Sequence, residues 1–401
     1  MKKRIGIIFP LTLNGGVFQY ALTVARCLLE YSHRFTYSII HFAGEDPRPL
    51  LGKHYGEMPE VIIPQKTISL SRRIIHFLGL FLGIEPILIS EIDAQLERAG
   101  IDLLIAPTPF SYEIPIKTPY LVFIPDLMHR YYPNFPEYRL LTRISRDVVY
   151  GYYAANAVTN IVESEQGADD LHKFFAINRA KIEVIPMIPP NYVYDYRQMD
   201  LEAATAIVKK YNLPEKFLFY PAQFWYHKNH LRLIQALAII KRKFGTKISL
   251  VLVGNAGGHF QKNYQNVIAE IEKQQIKDQV IHLGYVSNQE IIALYKKSTA
   301  LVFPSLIGPT SIPPLEAMVL GVPLACSHLF AAPQQIGEAG VLFNPFDVNE
   351  MAEKIYRLWQ DDRLRAQLKK RGILRTAGLS PENYARQWEE VIEKSLAKLA
   401  S

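Results

Sequence analysis

Cysteine is scarce in this sequence: the 401 residues include two, Cys27 and Cys326. They lie far apart, no Cys-x-x-Cys pair occurs, and neither has a histidine cluster nearby. This pattern excludes a disulfide framework and carries no zinc signature. We expect both thiols to be small buried hydrophobic groups.

A long apolar run near the start is also lacking. Lys2, Lys3 and Arg4 precede an apolar run over residues 5–9, but Pro10 stops it. The run is too short for the core of a signal peptide. We therefore expect the protein to stay in the cytoplasm.

Clustered positive charge is missing as well. The chain holds 45 Lys and Arg against 38 Asp and Glu, a formal net charge of +7. Residues 1–200 hold 20 basic and 21 acidic side chains, so the excess lies in residues 201–401, which hold 25 and 17. These basic residues are scattered along helical patterns and not interleaved with aromatic residues in runs. The distribution argues against a nucleic-acid partner.

What the sequence does contain is the composition of a folded globular chain, with 49% hydrophobic residues. Its length predicts two domains of roughly 150 to 200 residues. In the first half, an apolar run at residues 4–9 is followed by the loop Asn14-Gly15-Gly16 and by helical spacing over residues 17–31. Further β-rich runs occupy residues 37–42, 102–106 and 120–124. This order is typical of an α/β domain with a mostly parallel sheet.

Residues 186–200 contain three prolines and follow neither a helical nor an alternating period, which indicates a linker. The alternation then restarts and predicts a second doubly wound domain. Its predicted strands are residues 217–221, 248–254, 280–284, 300–303 and 323–327. Its predicted helices start at Asn229, Asn263, Asn288 and Pro313. From Asp347 onwards three helices follow without a strand, and we expect the last to pack back across the first domain.

The stretch from Tyr220 to His230 places Lys228 between a predicted strand and a helix N-terminus. Free backbone N–H groups, the positive end of the helix dipole and an ammonium group together favour a phosphate. His227 and His230 flank the lysine at metal-ligand spacing, and the alternative is that they pack or cap.

A second strand-to-helix turn runs from Pro304 to Met318. Thr310, Ser311 and Ile312 are predicted to direct backbone N–H groups outward at a helix start whose first turn suits two prolines. Glu316 has the reach to bind a diol such as a ribose. The alternative is a glutamate that offsets the helix dipole.

These two segments and the Gly15-Gly16 loop resemble those of the retaining glycosyltransferases of family four, the glycosyl transferases group 1. The resemblance covers nearly the whole chain. It implies an α/β fold of the GT-B class, in which two Rossmann-like doubly wound domains face each other across a deep cleft. The implied bounds are residues 1–190 for an acceptor-side domain, 200–375 for a nucleotide-sugar domain and 376–401 for a C-terminal helix.

The same resemblance implies roles for individual residues. Lys228 corresponds to a diphosphate contact, Glu316 to a ribose contact, residues 284–286 to backbone contacts with the base, and Gly16 to a phosphate contact. The implied donor-binding residues are Gly15, Gly16, Gln223, Lys228, Asn229, Gly254, Gly284, Tyr285, Val286, Pro309, Thr310, Ser311, Ile312, Leu315 and Glu316.

The sequence departs from the family pattern at three positions. Gln223 replaces an arginine, so one positive charge is missing near the diphosphate and Lys228 supplies more of the charge that binds it. Gly308 replaces the first of two glutamates, which in the family contacts the donor sugar. Pro125 replaces a histidine on the acceptor side.

The neighbours of Pro125 are candidates for the catalytic, acceptor-side chemistry, together with Lys228. Asp126 and His129 are each placed to orient the acceptor hydroxyl or to stabilise charge. The alternative makes Asp126 a cap for the following turn.

The resemblance implies a hexosyltransferase in polysaccharide biosynthesis. A nucleotide diphosphate sugar, of the UDP-glucose type ahead of GDP-mannose, is the expected donor, and a saccharide or lipid-linked saccharide is the expected acceptor. No cofactor is expected. No Asp-x-Asp pair occurs in the chain, so we expect no metal, with Lys228 and helix termini neutralising the leaving diphosphate.

Three alternatives stand beside this hypothesis. A sugar-nucleotide epimerase of the GT-B class needs no acceptor, and a non-catalytic nucleotide-binding scaffold is consistent with the three departures. A nicotinamide oxidoreductase is disfavoured because Gly-x-Gly-x-x-Gly does not follow the first strand.

Residues 67–90 form a long apolar stretch with Arg72, Arg73 and His76 near its start. A basic amphipathic helix there would make peripheral contact with the inner membrane face and reach a lipid-linked acceptor. Pro86 and two glycines interrupt the stretch, which favours a packed or cleft-lining helix.

Overall fold

The computed structural model describes residues 2–10, 15–52, 58–63, 79, 91–109, 116–308 and 310–400. The chain separates into two compact units. The first unit comprises Met1–Asn134, Tyr138–Pro186 and Ser380–Ser401, and the second comprises Phe135–Glu137 and Met187–Leu379.

The first unit is built on a parallel sheet of seven strands in the order β3-β2-β1-β4-β5-β6-β7. Its strands are β1 (Arg4–Ile8), β2 (Thr36–Phe42), β3 (Glu60–Ile63), β4 (Leu103–Ala106), β5 (Tyr120–Phe123), β6 (Thr159–Val162) and β7 (Ile182–Val184). Its helices up to residue 186 are α1 (Gly15–Tyr31), α2 (Arg48–Leu51), α3 (Glu91–Arg98), α4 (Met128–Tyr131), α5 (Leu140–Asn156) and α6 (Glu165–Phe175). The central strands are apolar and almost completely buried, as expected for a parallel sheet covered on both faces.

The second unit repeats this plan with six parallel strands in the order β10-β9-β8-β11-β12-β13. Its strands are β8 (Leu218–Pro221), β9 (Leu250–Val253), β10 (Val280–His282), β11 (Ala300–Phe303), β12 (Leu324–Ser327) and β13 (Val341–Phe343). Its helices are α7 (Asn191–Tyr196), α8 (Leu201–Val208), α9 (His230–Phe244), α10 (Gln261–Lys273), α11 (Asn288–Lys297), α12 (Ile312–Val319), α13 (Ala332–Ile336), α14 (Val348–Gln360) and α15 (Asp362–Arg375). The strand order reverses between β8 and β11, which is where such sheets bind ligands.

The closing helix α16 (Pro381–Ala400) belongs to the first unit. Its Trp388 is fully buried. Ser32 at the end of α1 donates a hydrogen bond to Glu389 at 2.6 Å, and the hydroxyls of Thr159 and Ser395 lie 2.8 Å apart. The first unit is therefore assembled from both ends of the described chain.

The unit boundaries differ from the predicted domain bounds. The division falls between Pro186 and Met187, and the second unit continues to Leu379. The predicted linker at residues 186–200 is ordered, since it contains helix α7, whose Val193 is fully buried. Prediction missed α7 because six residues are too few to display a helical period.

No helix in the described ranges is both long and apolar enough to cross a bilayer. The stretch 67–90, apart from Gly79, lies outside the described residues, so its packing or membrane contact stays a prediction.

Candidate functional site

The residues singled out in the second half lie where the strand order reverses. Strand β8 leads into the short 3₁₀ turn Tyr226–Lys228 and then α9, whereas β11 leads into α12. Lys228 and Glu316 therefore follow the two strands that flank the reversal. This places both at the carboxyl edge of the sheet, where the connections on either side diverge and leave a crevice.

Lys228 is the last residue of the turn before α9. Its Nζ lies 5.3 Å from the centre of the Phe303 ring, at the end of β11. Its carbonyl oxygen accepts a hydrogen bond from the Tyr220 hydroxyl at 2.7 Å. The Lys228 ammonium group therefore lies over the ring of Phe303 on β11, and the Lys228 carbonyl is held by Tyr220 on β8.

Asn229 has a left-handed backbone with φ 60° and is buried. Its side-chain amide donates to the carbonyls of Pro304 and Pro345, at 3.1 and 2.9 Å. The N–H of Leu306 donates to the carbonyl of His227 at 2.7 Å. Asn229 therefore ties the turn that carries Lys228 to the loop after β11 through both hydrogens of its amide, and its predicted contact with the nucleotide sugar stays a prediction.

The two histidines beside Lys228 have different surroundings. His227 contacts Glu137: the backbone nitrogen and the Nδ1 of His227 each lie 3.2 Å from Oε1 of Glu137. His230 is fully buried between the rings of Phe224 and Tyr220, with centroids 4.5 and 4.8 Å away. Burial lowers the pKa of His230 to about 3. The packing interpretation therefore describes His230.

Glu316 lies on α12 with 2% of its surface exposed. Its Oε1 accepts a hydrogen bond from the Tyr192 hydroxyl, and its Oε2 accepts one from Tyr295 at 2.7 Å. Burial raises the pKa of the carboxyl, while the two tyrosines favour its charged form. The predicted ribose ligand is thus already hydrogen-bonded once at each oxygen, and a diol would use the remaining lone pairs or replace a tyrosine.

Two predicted donor-site glycines meet at the ends of β9 and β10. The N–H of Gly254 donates to the carbonyl of Gly284 at 3.0 Å. A Cβ added at Gly254, whose φ is 153°, would lie 2.3 Å from the carbonyl oxygen of Ala222 after β8. Only glycine permits this close approach, which brings three strand-end loops together.

The side chains around these glycines have varied exposure. Tyr285 is 88% exposed, whereas Val286 and Leu315 are buried. Gln223 accepts a hydrogen bond from the indole N–H of Trp225 at 3.2 Å. Leu315 therefore contributes to packing, and Tyr285 is accessible.

The loop before α12 departs from expectation at Ser311. Its N–H donates to Oε1 of Gln335 at 3.0 Å, and its carbonyl accepts from the same amide at 3.1 Å. The expectation that the Ser311 N–H points outward to a ligand is therefore wrong, because Gln335 already pairs with both backbone groups. Pro309 lies outside the described residues, and the Thr310 hydroxyl lies 3.8 Å from the sulfur of Met187.

Gly308 has a left-handed φ of 120°, and a Cβ there would lie 3.0 Å from the carbonyl oxygen of Thr310. A glutamate at this position would be strained. The absence of the expected carboxylate therefore goes with a backbone conformation that favours glycine.

In the first unit, Gly15 and Gly16 begin α1 after β1. Both are exposed, and a Cβ at either would have no described atom within 4 Å. Their backbone is accessible to a ligand, whereas the preceding residues 11–14 lie outside the described part. Their phosphate contact stays a prediction.

Asp126 lies in the turn before α4, but the N-cap residue of that helix is Leu127, which has no side-chain cap hydrogen bond. The Oδ1 of Asp126 accepts hydrogen bonds from the N–H of Met128 at 3.0 Å and from Arg146 at 3.1 Å. His129 has a fully buried side chain, and its Nε2 lies 2.7 Å from Asp147. Burial lowers the pKa of His129. The His129 side chain is therefore packed inside the unit, and its predicted role in orienting the acceptor or stabilising charge stays a prediction.

The described residues hold one trio with metal-ligand geometry, formed by His41, Asp46 and Glu60 of the first unit. Arg48 is ion-paired to both carboxylates, at 2.9 and 2.7 Å. The guanidinium therefore offsets one of the two negative charges and occupies an oxygen of each carboxylate.

Sequence reasoning missed several residues that contact the site. Tyr192, Tyr295, Glu137 and Gln335 all touch residues that it did select. Tyr192 lies within the segment interpreted as a linker, and Glu137 lies 90 positions before its partner. Neither carries a motif, so no signal in a single sequence identifies them.

Comparison with known proteins adds three findings. The family described as "Glycosyl transferases group 1" matches residues 204–375. The O-antigen chain mannosyltransferase B of Escherichia coli is 28% identical over 194 residues, covering 48% of this chain and 50% of that protein. The MMP alpha-(1->4)-mannosyltransferase of Mycolicibacterium hassiacum is 26% identical over 242 residues, covering 59% of this chain and 54% of that protein. The matched segments thus span about half the length of these curated relatives.

A solved structure extends the likeness to the whole fold. The sucrose-phosphate synthase of Thermosynechococcus elongatus superposes with a TM-score of 0.75 at 19% identity, covering 99% of this chain and 100% of that one. The two chains therefore share their architecture over nearly their full length.

Proposed function

Residues 204–375 belong to the glycosyl transferases group 1 family, and the chain has the GT-B fold; from this premise we propose that it is a metal-independent, retaining hexosyltransferase of polysaccharide assembly. The observation that carries the proposal is the position of Lys228 and Glu316 on the two sides of the strand-order reversal in the second unit. An ammonium group beside a helix start suits a diphosphate. A carboxylate on the opposite connection suits a ribose.

The sugar we propose is mannose. The sequence favoured a UDP-glucose-type donor, but both relatives described above are named as mannosyltransferases. GDP-mannose, the alternative considered from the sequence, therefore becomes the first donor to test. A saccharide or lipid-linked saccharide is the proposed acceptor.

In the proposed reaction the bond between the anomeric carbon and the β-phosphate oxygen breaks, and a bond to the acceptor oxygen forms on the same face of the sugar. The acceptor proton passes to the departing phosphate oxygen. Lys228 stabilises the charge that develops on the diphosphate, and the Phe303 ring and Asn229 hold the lysine and its turn in place. Asp126 stays a predicted acceptor-side residue.

The test uses the full chain with GDP-mannose or UDP-glucose and a panel of mannose-terminated saccharides, with and without EDTA. We expect acceptor-dependent release of GDP that survives EDTA, and NMR of the product should show that the anomeric configuration is retained. Loss of turnover on chelation, restored by Mg²⁺ or Mn²⁺, would contradict metal independence. Donor interconversion without acceptor would support an epimerase, and absence of nucleotide binding would support a scaffold.

A further inference from the structure

Three residues from the first half of the chain, Phe135–Glu137, belong to the second unit. The Phe135 ring packs edge-on against Tyr226 at 5.2 Å, and Glu137 contacts His227. Tyr226 and His227 are the first two residues of the turn that ends at Lys228. This tripeptide is therefore packed directly on the turn that carries the proposed diphosphate ligand.

The two oxygens of Glu137 are in different situations. Oε1 lies 3.2 Å from the backbone nitrogen and from Nδ1 of His227. Oε2 is buried, and among the described residues no group hydrogen-bonds to it. The side chain as a whole is 12% exposed. Buried carboxylate oxygens are normally hydrogen-bonded, so Oε2 requires a donor that the described chain does not provide.

The carboxyl is charged at neutral pH. Burial raises the pKa of Glu137, but the hydrogen bond and charge of His227 outweigh burial, and the pKa lies below its ordinary value. Oε2 is therefore an acceptor only, and it seeks an N–H or O–H donor.

The neighbouring groups restrict what that donor is. The loop after β11 is joined to His227 by the hydrogen bond from the Leu306 N–H. Residue 308 in this loop is a glycine and so has no side chain that could donate to Oε2. Glu316, the other carboxylate of this site, has both oxygens occupied by tyrosines. Oε2 of Glu137 is thus a buried carboxylate oxygen with no hydrogen-bond partner among the described residues, and it lies on the residue that contacts His227, the neighbour of Lys228.

We infer that Glu137 contacts the donor hexose and that its Oε2 accepts a hydrogen bond from a sugar hydroxyl. This inference rests on the proposed function, since it needs Lys228 to hold the diphosphate. A hexose is bonded directly to the β-phosphate and so lies next to the group that binds this phosphate, and Glu137 contacts the residue that precedes Lys228. Glu137 then helps to set which hexose is accepted, because the orientation of one hydroxyl decides whether the bond forms.

The experiment compares Glu137→Gln with Glu137→Ala in the full chain. The glutamine variant keeps an oxygen facing His227 and replaces Oε2 with an NH₂ group, so the turn is preserved while the acceptor is lost. The alanine variant removes both oxygens. Glu353→Gln, at an exposed residue ion-paired with Lys243, is the matched control, and thermal unfolding confirms that each variant is folded.

Calorimetry measures the binding of GDP and of GDP-mannose to each protein, and of UDP and UDP-glucose in parallel. We expect Glu137→Gln to weaken binding of the nucleotide sugar about 10-fold or more while nucleoside diphosphate affinity stays within about twofold, because a hydrogen bond to a charged group is lost. Glu137→Ala should weaken the binding of both the nucleoside diphosphate and the nucleotide sugar. Deoxy analogues of the nucleotide sugar should identify the hydroxyl that donates to Oε2. The analogue that lacks this hydroxyl should bind wild type and Glu137→Gln with equal affinity.

Other results would overturn the inference. Equal loss of nucleotide and nucleotide-sugar binding in Glu137→Gln would mean that Glu137 only positions the turn, and unchanged binding of both would remove it from the site. If wild type binds neither class of ligand, the proposed function fails and this inference with it, whereas wild-type turnover with an unaffected Glu137→Gln variant rejects this inference alone.

Discussion

The hydroxyl of Tyr192 donates a hydrogen bond to Oε1 of Glu316, a residue 124 positions further along the chain. Tyr295 donates to the other oxygen at 2.7 Å and is itself completely buried. Tyr192 is less buried than Tyr295. The two tyrosines therefore hold the carboxylate in place, and Tyr192 is the partner more easily exchanged for a ligand hydroxyl.

We expect Tyr192→Phe to lower the free energy of unfolding by about 1–3 kcal/mol, because one oxygen of a buried carboxylate loses its partner. Nucleoside diphosphate affinity should rise, since the lone pair of Glu316 that Tyr192 uses becomes available to a ribose hydroxyl. Tyr295→Phe is the control: it should destabilise the chain without tightening nucleotide binding. Chemical unfolding and calorimetry measure both effects, and weaker binding by Tyr192→Phe would argue against the exchange.

Replacing Lys228 with alanine removes the cation at the start of α9. We expect kcat/KM for the donor to fall on the order of 100-fold, the scale for loss of one group that stabilises transition-state charge. Lys243→Ala, which alters an exposed ion pair, should leave turnover unchanged. Near-normal activity of the Lys228 variant would remove this residue from the site.

Gly254→Ala should disrupt the convergence of strand-end loops. The added Cβ would lie 2.3 Å from the carbonyl oxygen of Ala222, so the backbone has to shift, and we expect a loss of about 2–4 kcal/mol together with weaker donor binding. At Gly284, whose φ is 72°, a Cβ meets no described atom within 4 Å. Gly284→Ala should therefore cost only about 1–2 kcal/mol. Equal destabilisation of the two variants would contradict the role of close approach.

His230 should make stability depend on pH. Its pKa is about 3 in the folded chain against 6.5 in the unfolded chain, so between these values the unfolded state binds more protons. The stabilising contribution is present above pH 6.5 and is lost as the pH falls towards 3, by on the order of 3–5 kcal/mol. Urea unfolding at several pH values measures it. His230→Phe should flatten the slope in this window, and an unchanged slope would mean that other groups cause it.

Both cysteines should be unreactive in the folded chain. Burial raises the pKa of Cys27 and of Cys326 to about 12, so the thiolate is nearly absent at neutral pH. We expect a thiol-specific reagent to label neither residue in the native protein and both in denaturant. Rapid labelling of native protein would show that one thiol is accessible.

The sequence predicted the layered α/β plan because long apolar runs alternate with helical spacing. Strands β1, β2, β4, β5, β8, β11 and β12 were located to within a residue at each end and β9 and β10 to within two, whereas β3, β6, β7 and β13 were not predicted. β6 reads Thr-Asn-Ile-Val, with two polar residues buried inside the sheet. A four-residue strand buried on both faces shows no alternation, so its pattern does not distinguish it from a loop.

The candidate site could be predicted only in part. Lys228 and Glu316 stand at strand-to-helix turns with local signatures, which single-sequence reasoning detects. Their contacts with Tyr192, Glu137 and other distant residues depend on tertiary packing, which no local period encodes. The burial of His129 could not be predicted for the same reason: its contact with Asp147 depends on helix α5, which starts 11 residues later.

Because α16 belongs to the first unit, that unit cannot be completed before residues 187–379 have been synthesised. The second unit consists of Phe135–Glu137 and residues 187–379, so all of it has been synthesised before α16. The first unit waits for Trp388 and Ser395, although most of it was translated earlier. While about 200 further residues are translated, the surface of the first unit that α16 covers therefore stays exposed. A chaperone could bind this apolar surface during that time.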